Sequence, residues 1–126
     1  MYAFFDGDNI GDKMDIMLLE NRIAEATEFS EKIESAMSRL GEITKSQEGV
    51  EVIILGGDDL LFKYQDNTKN IHEFLEKIRS EFYRITGSTM SCGVGETVRE
   101  SVINLYFAKL YGKNQIILPD VQGEKS

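Results

Sequence analysis

Apolar positions along the chain fall into short alternating runs and helically spaced sets, separated by clusters of turn-forming residues. Tyr2 to Phe5 is an aromatic run that ends in Asp6-Gly7-Asp8-Asn9-Ile10-Gly11. A strand therefore feeds a loop, and Asp6 stands at the strand's carboxyl end. From Asp15 to Leu40, apolar residues recur at Leu19, Ile23, Ala26, Ile33, Met37 and Leu40, the spacing of one helical face, with Gly41 as the stop. Val50 to Leu55 and Leu60 to Tyr64 are β-rich, and Gly56-Gly57-Asp58-Asp59 between them suits a hairpin turn. Ile71, Phe74, Leu75, Ile78 and Phe82 predict an amphipathic helix that stops near Gly87. Thr89 to Gly95 predicts a strand with Met90, Cys92 and Val94 on one side. Thr97-Val98-Arg99-Glu100 is a capping box that opens a helix ended by Gly112. Asn114 to Leu118 supplies a last short strand before Pro119.

The order β-α-β-β-α-β-α-β places the chain in the α+β class. It matches the split βαβ, ferredoxin-like plan with one helix and one strand added, around a mostly antiparallel sheet. Right-handed crossovers would gather the helices on one sheet face. Residues 1–119 are expected to form one domain, and 120–126 a flexible polar tail.

Composition narrows the functional classes. Fourteen Lys and Arg against 22 Asp and Glu leave a net charge of −8 on 126 residues, which argues against a grip on long nucleic acid, because that requires clustered cations. An anionic substrate must then be small or metal-bound. With 41% hydrophobic residues and one Cys, Cys92, the fold needs a core rather than disulfides. The opening Met1-Tyr2-Ala3-Phe4-Phe5-Asp6 lacks the basic start of a signal peptide, and no stretch approaches a membrane span. A cytoplasmic protein without direct membrane insertion is expected.

If the first strand lies beside the hairpin, Asp6 approaches Asp58 and Asp59. Two charges about 5 Å apart repel by roughly 3 kcal/mol at an effective dielectric of 20. Divalent cations with hard oxygen preference relieve that repulsion, and two Mg2+ (or Mn2+) ions per site are the usual partners of such clusters in nucleotidyl transfer. Asp6 and Asp58 are the expected bridging ligands. An isolated Gly-Gly-Asp-Asp is an ordinary polar turn; a second acidic loop closing a strand at the matching place in the order gives it chemical weight. A calcium loop starting at Asp6 fails, since Ile10 and Met17 fall where ligands are required. Gly7, Asn9 and Gly11 free the backbone to present N–H groups to a triphosphate ahead of the first helix. The residues expected near a nucleotide on this reading are Gly7, Asp8, Asn9, Ile10 and Gly11 on this loop and Gly57 on the turn. Lys109 and Lys113, four apart at the end of the last helix, are by themselves better explained as complements of the helix dipole than as phosphate donors.

Four blocks together resemble the palm-type nucleotidyl cyclases: the GGDEF diguanylate cyclases and the palm of the type III CRISPR large subunit. They are Asp6-Gly7-Asp8, Gly56-Gly57-Asp58-Asp59, Ser91-Cys92-Gly93-Val94 and Leu105-Tyr106-Phe107-Ala108-Lys109-Leu110-Tyr111-Gly112-Lys113-Asn114. The last is similar to the LYxAKxxGRN of GGDEF proteins, with Lys113 in place of Arg. GGDD and DGDNIG look more like the CRISPR palm, and a stand-alone palm of this length is similar to the minimal CRISPR polymerases associated with phage defence.

The resemblance implies that Asp6, the Gly7 carbonyl and Asp58 hold the metals, with Asp59 as a further ligand or proton acceptor. Lys109 and Lys113 would bind the β- and γ-phosphates. The positions that read guanine in diguanylate cyclases fall on Met14 and Ile23, so ATP is the expected substrate. The implied activity is joining and cyclising ATP into a cyclic di- or oligo-adenylate, in a homodimer that signals to a downstream effector. The alternatives are a palm that binds nucleotide without turnover, a cyclase using GTP, and a mononucleotide cyclase.

Overall fold

A computed structural model describes residues 1–119, so the tail expected at 120–126 lies outside the described residues. The chain runs β1 (Tyr2–Gly7), α1 (Ile10–Leu19), α2 (Ile23–Ser46), β2 (Val50–Gly56), β3 (Asp59–Tyr64), α3 (Ile71–Thr86), β4 (Met90–Gly95), α4 (Val98–Leu110) and β5 (Ile116–Ile117). The sheet order is β2-β3-β1-β4-β5. Every neighbouring pair is antiparallel except β4 and β5. The first four strands give the ferredoxin-like order, and β1 lies centrally between β3 and β4.

The single helix expected from Asp15 to Leu40 is two helices. Asn21 adopts a left-handed φ of 59°, a conformation that Asn tolerates and that ends a helix. Leu19 and Ile23 flank this break and are 87% and 63% exposed, so neither joins the core face. Gly41 does not stop α2. A Cβ there would lie 2.6 Å from Leu55 Cδ2, so the bare backbone is the notch that receives Leu55 while the helix continues to Ser46.

The main core lies between one sheet face and α2 and α3. Phe62 packs there with its ring centroid 5.8 Å from that of Phe5 and 5.8 Å from that of Phe74, the spacing at which aromatic edges and offset faces attract. Met90, Cys92 and Val94 alternate into the same core, as their spacing predicts. Burial pushes the Cys92 thiol up, which leaves it an unreactive packing group. Among the described residues no helix is long and apolar enough to cross a membrane.

The helices do not all share one face. The opposite side of β4 carries Ser91, Gly93 and Gly95, and α4 rests directly on it. A Cβ on Gly93 would stand 2.1 Å from the Leu105 amide nitrogen. With α2 and α3 on one face and α4 on the other, the β4–α4–β5 crossover has the opposite hand to the earlier two. Thr97 Oγ1 caps α4 by accepting from Glu100 N at 3.1 Å, and the returning Glu100 carboxylate accepts from Glu96 N at 2.6 Å. Gly93→Ala forces α4 off the sheet and should cost about 3 kcal/mol or more, read as a lowered denaturation midpoint. An unchanged midpoint would contradict this packing.

Candidate active site

Antiparallel pairing sets Asp6 on β1 directly opposite Asp59 on β3. The Gly7 amide donates to the Asp58 carbonyl at 3.2 Å, which ties the hairpin tip to the end of β1. One carboxylate oxygen each from Asp6, Asp58 and Asp59 then lies within 4.8 Å of the others, all three half-buried. Like charges placed opposite one another across strands repel. Burial, then the charge of Asp6, pushes the Asp58 carboxyl up to about 6. Burial and hydrogen bonding with Asp6 push Asp59 up to about 7. The three expected carboxylates are therefore brought together. Their donors are all oxygen and short of positive charge, so the residues fit a hard divalent cation.

Lys109, in the last turn of α4, reaches across to this cluster. Its Nζ lies 3.0 Å from Asp6 Oδ2 and donates to the Asp6 carbonyl at 3.2 Å and the Gly7 carbonyl at 2.8 Å. The Gly7 carbonyl expected on a metal thus faces an ammonium. Lys113 lies beyond the end of α4 rather than on it, with φ 66°, and its Nζ donates to Asn9 Oδ1. Asn9 precedes α1 with φ 59°, and no side chain caps that helix. The first-turn amides at Ile10 and Gly11 are among those a helix leaves unpaired, and Ile10 and Asp58 both border Gly7. Gly57 supplies a left-handed φ of 56° to the hairpin turn.

Asp8 departs from the nucleotide-binding role expected for it. It is 1% exposed, and its carboxylate is enclosed by Thr89, Ser91, Lys109 and the Asn114 amide. Burial pushes its carboxyl up, but hydrogen bonds from Lys109, Ser91, Thr89 and Asn114 outweigh it and hold the group below its ordinary value. Sequence reasoning passed over Thr89 and Asn114; the signal available was a cluster of small hydroxyls at the start of a strand neighbouring β1.

A cleft of about 430 Å³ opens beneath the hairpin, with Ile10, Met14, Ile33, Met37 and Leu55 against the Gly56-Gly57 backbone. Ser30, Glu34 and Ser38, on successive turns of α2, form its polar wall. Met14 lies in this cleft, whereas Ile23 is exposed outside it. The polar wall was not visible from sequence, because a Ser and Glu stripe on a long helix reads as a solvated face.

Residues 2–118 match the family described as the minimal CRISPR polymerase domain. The chain belongs to that family. Solved structures of other proteins share its fold. The Csm1-Csm4 cassette in complex with one ATP matches with a TM-score of 0.64 at 22% identity, over 91% of this chain and 20% of that chain. The diguanylate cyclase SiaD of Pseudomonas aeruginosa, in complex with its activator SiaC, matches with a TM-score of 0.64 at 20% identity, over 94% of this chain and 49% of that one. The GGDEF domain of PA1120 (YfiN or TpbB) from the same organism matches with a TM-score of 0.63 at 14% identity, over 96% and 82%. The chain thus spans about half of the SiaD chain and a fifth of the Csm one. No curated protein sequence matches it.

Proposed function

We propose that this palm joins and cyclises ATP into a cyclic di- or oligo-adenylate, releasing pyrophosphate, in antiphage defence. The observation that carries the reading is the meeting of Asp6, Asp58 and Asp59 within 4.8 Å, with Lys109 3.0 Å from the Asp6 carboxylate. Two Mg2+ ions held by Asp6, Asp58 and Asp59 would neutralise the leaving pyrophosphate and sharpen the attacking hydroxyl, with the Gly7 carbonyl taken by Lys109.

This chain's residues do the positioning. Lys109 and Lys113 bind the β- and γ-phosphates, and the open first turn of α1 adds backbone donors. The base enters the cleft against Met14. A ribose hydroxyl of one nucleotide attacks the α-phosphorus of another; the new P–O bond forms as the bond to pyrophosphate breaks, and the hydroxyl proton passes to Asp59 or water. A second such transfer closes the ring. One palm holds one triphosphate, so the second comes from a twofold-related copy. Apolar side chains left open on α4, with Tyr106 63% and Leu110 60% exposed, are consistent with such a partner. The product acts on a downstream effector, and the protein works in the cytoplasm.

Glu34 favours a second reading, GTP as substrate, since a carboxylate in the cleft can accept from guanine N1–H and N2–H. Incubating the purified chain with each NTP and Mg2+ or Mn2+, followed by mass spectrometry, separates the two. Cyclic adenylates are the expected products. Turnover of GTP alone would overturn the base assignment, and nucleotide binding without any product would mark a receptor.

A further inference from the structure

Asp8 is a charged group almost without solvent, and its partners come from separate parts of the chain. Thr89 Oγ1 donates to Oδ2 at 2.7 Å and Ser91 Oγ to Oδ1 at 2.7 Å. Lys109 Nζ donates to Oδ1 at 2.7 Å, and the Asn114 amide to Oδ2 at 2.9 Å. A buried carboxylate is tolerated only when its lone pairs are filled in this way. At 1% exposure it is out of reach of a phosphate, which its charge would in any case repel.

What it does hold is one cation, Lys109, and the backbone of the turn that carries another, Lys113. Lys109 has a long, freely rotating stem, and an ammonium at its end would otherwise spread over many rotamers. Asp8 draws it to one place beside Asp6. The Lys113–Asn114 turn has left-handed φ of 66° and 51°, a backbone that must be secured by its surroundings. Asp8 secures it from one side through the Asn114 amide. Arg79 of α3 secures it from the other, donating to Asn114 Oδ1 at 3.2 Å and to the Asn114 carbonyl at 3.3 Å.

We propose that Asp8 is a positioning residue: its buried carboxylate presets Lys109 and the turn carrying Lys113 at the edge of the acidic cluster, so that both ammonium groups meet a triphosphate already in place. The inference rests on the reading that these two lysines bind the triphosphate. The gain comes from ordering the side chains before binding rather than during it.

Two measurements test it. The first needs no nucleotide: trace acetylation of the folded chain, with mass spectrometry of each lysine. Asp8→Asn should raise Lys109 labelling about tenfold, while exposed Lys63 and Lys77 keep their rates. Ser91→Ala, a smaller change on the same oxygen, should give a smaller rise, and it carries the test if Asp8→Asn does not fold. Unchanged Lys109 labelling overturns the proposal. The second is a double-mutant cycle on ATP affinity in the presence of Ca2+. Asp8→Asn should weaken binding about tenfold in the wild-type background and by clearly less beside Lys109→Ala, where only the turn carrying Lys113 is left for Asp8 to hold. Equal losses in both backgrounds would show a structural role only and overturn the proposal. Failure of the unmodified chain to bind ATP counts against the function reading, and the labelling result then decides the role of Asp8 by itself.

Discussion

Asp58→Ala should remove product formation, by about 10³-fold or more, while making the metal-free protein more stable. On the proposed reading the activity loss follows from the ligand set: without Asp58 the remaining carboxylates would hold too little charge for ions that offset pyrophosphate. A loss of about 4 kcal/mol of charge stabilisation corresponds to that factor. The gain in stability follows from the same crowding. Asp58 lies within 4.8 Å of Asp6 and Asp59, and half-exposure screens each repulsion well below its low-dielectric value, so about 1 kcal/mol is recovered. That corresponds to a rise of about 3 °C in Tm. Alanine keeps the bond from the Gly7 amide to the residue 58 carbonyl, so the hairpin stays in register. Product analysis and thermal melts without metal check both halves. Retained activity would refute the assigned chemistry.

Mg2+ should stabilise the chain more strongly as pH rises. Asp58 and Asp59 are pushed up to about 6 and about 7 from the ordinary value of 3.8. Between pH 4 and pH 7 the folded state therefore binds more protons than the unfolded chain, and metal-free stability falls as pH rises. Allowing for solvent screening, the fall is about 2 kcal/mol. Asp8 works in the opposite sense, since its carboxyl is held below the ordinary value; its contribution is present above pH 4 and is lost only on acidification. A metal must displace the protons on Asp58 and Asp59, so its apparent affinity climbs through pH 6 to 7. Thermal melts with and without Mg2+ at pH 5.5 and 7.5 should show the larger shift at 7.5. Equal shifts at the two pH values would place the metal elsewhere.

Much of the fold was legible because strict periods are hard to misread. β1, the hairpin strands and α3 lie where the alternation and the Ile71–Phe82 face put them. The break between α1 and α2 was masked by Leu19 and Ile23, four residues apart, which fall on one face if the helix is assumed continuous. Asn21 was the available clue. The placement of α4 was written in β4, where Ser91, Gly93 and Gly95 alternate with Met90, Cys92 and Val94 and leave one face with a single small hydroxyl and two bare glycines, so that a helix can rest on it. In the site, Asp6, Asp58 and Asp59 could be brought together from strand order alone, since adjacent antiparallel strands align their ends. Asp8 could not be oriented that way. It follows the last residue of β1, where alternation no longer fixes direction, and its inward turn depends on its own amide donating to the Thr89 carbonyl at 2.9 Å.

The contact between Gly41 and Leu55 bears on how the hairpin rests over α2. Leu55 immediately precedes Gly56, which pairs with Asp59, and its methyl group occupies the volume a side chain at position 41 would fill. The height of the hairpin above α2 is therefore gauged by a bare stretch of helix backbone. A single methyl added at Gly41 would displace the end of the Leu55 side chain, one residue before the turn that carries Asp58. Ca2+ and Mg2+ differ in radius by a few tenths of an ångström, so on the proposed reading of the acidic cluster Gly41→Ala should alter the relative affinity for the two, through a residue that would touch neither.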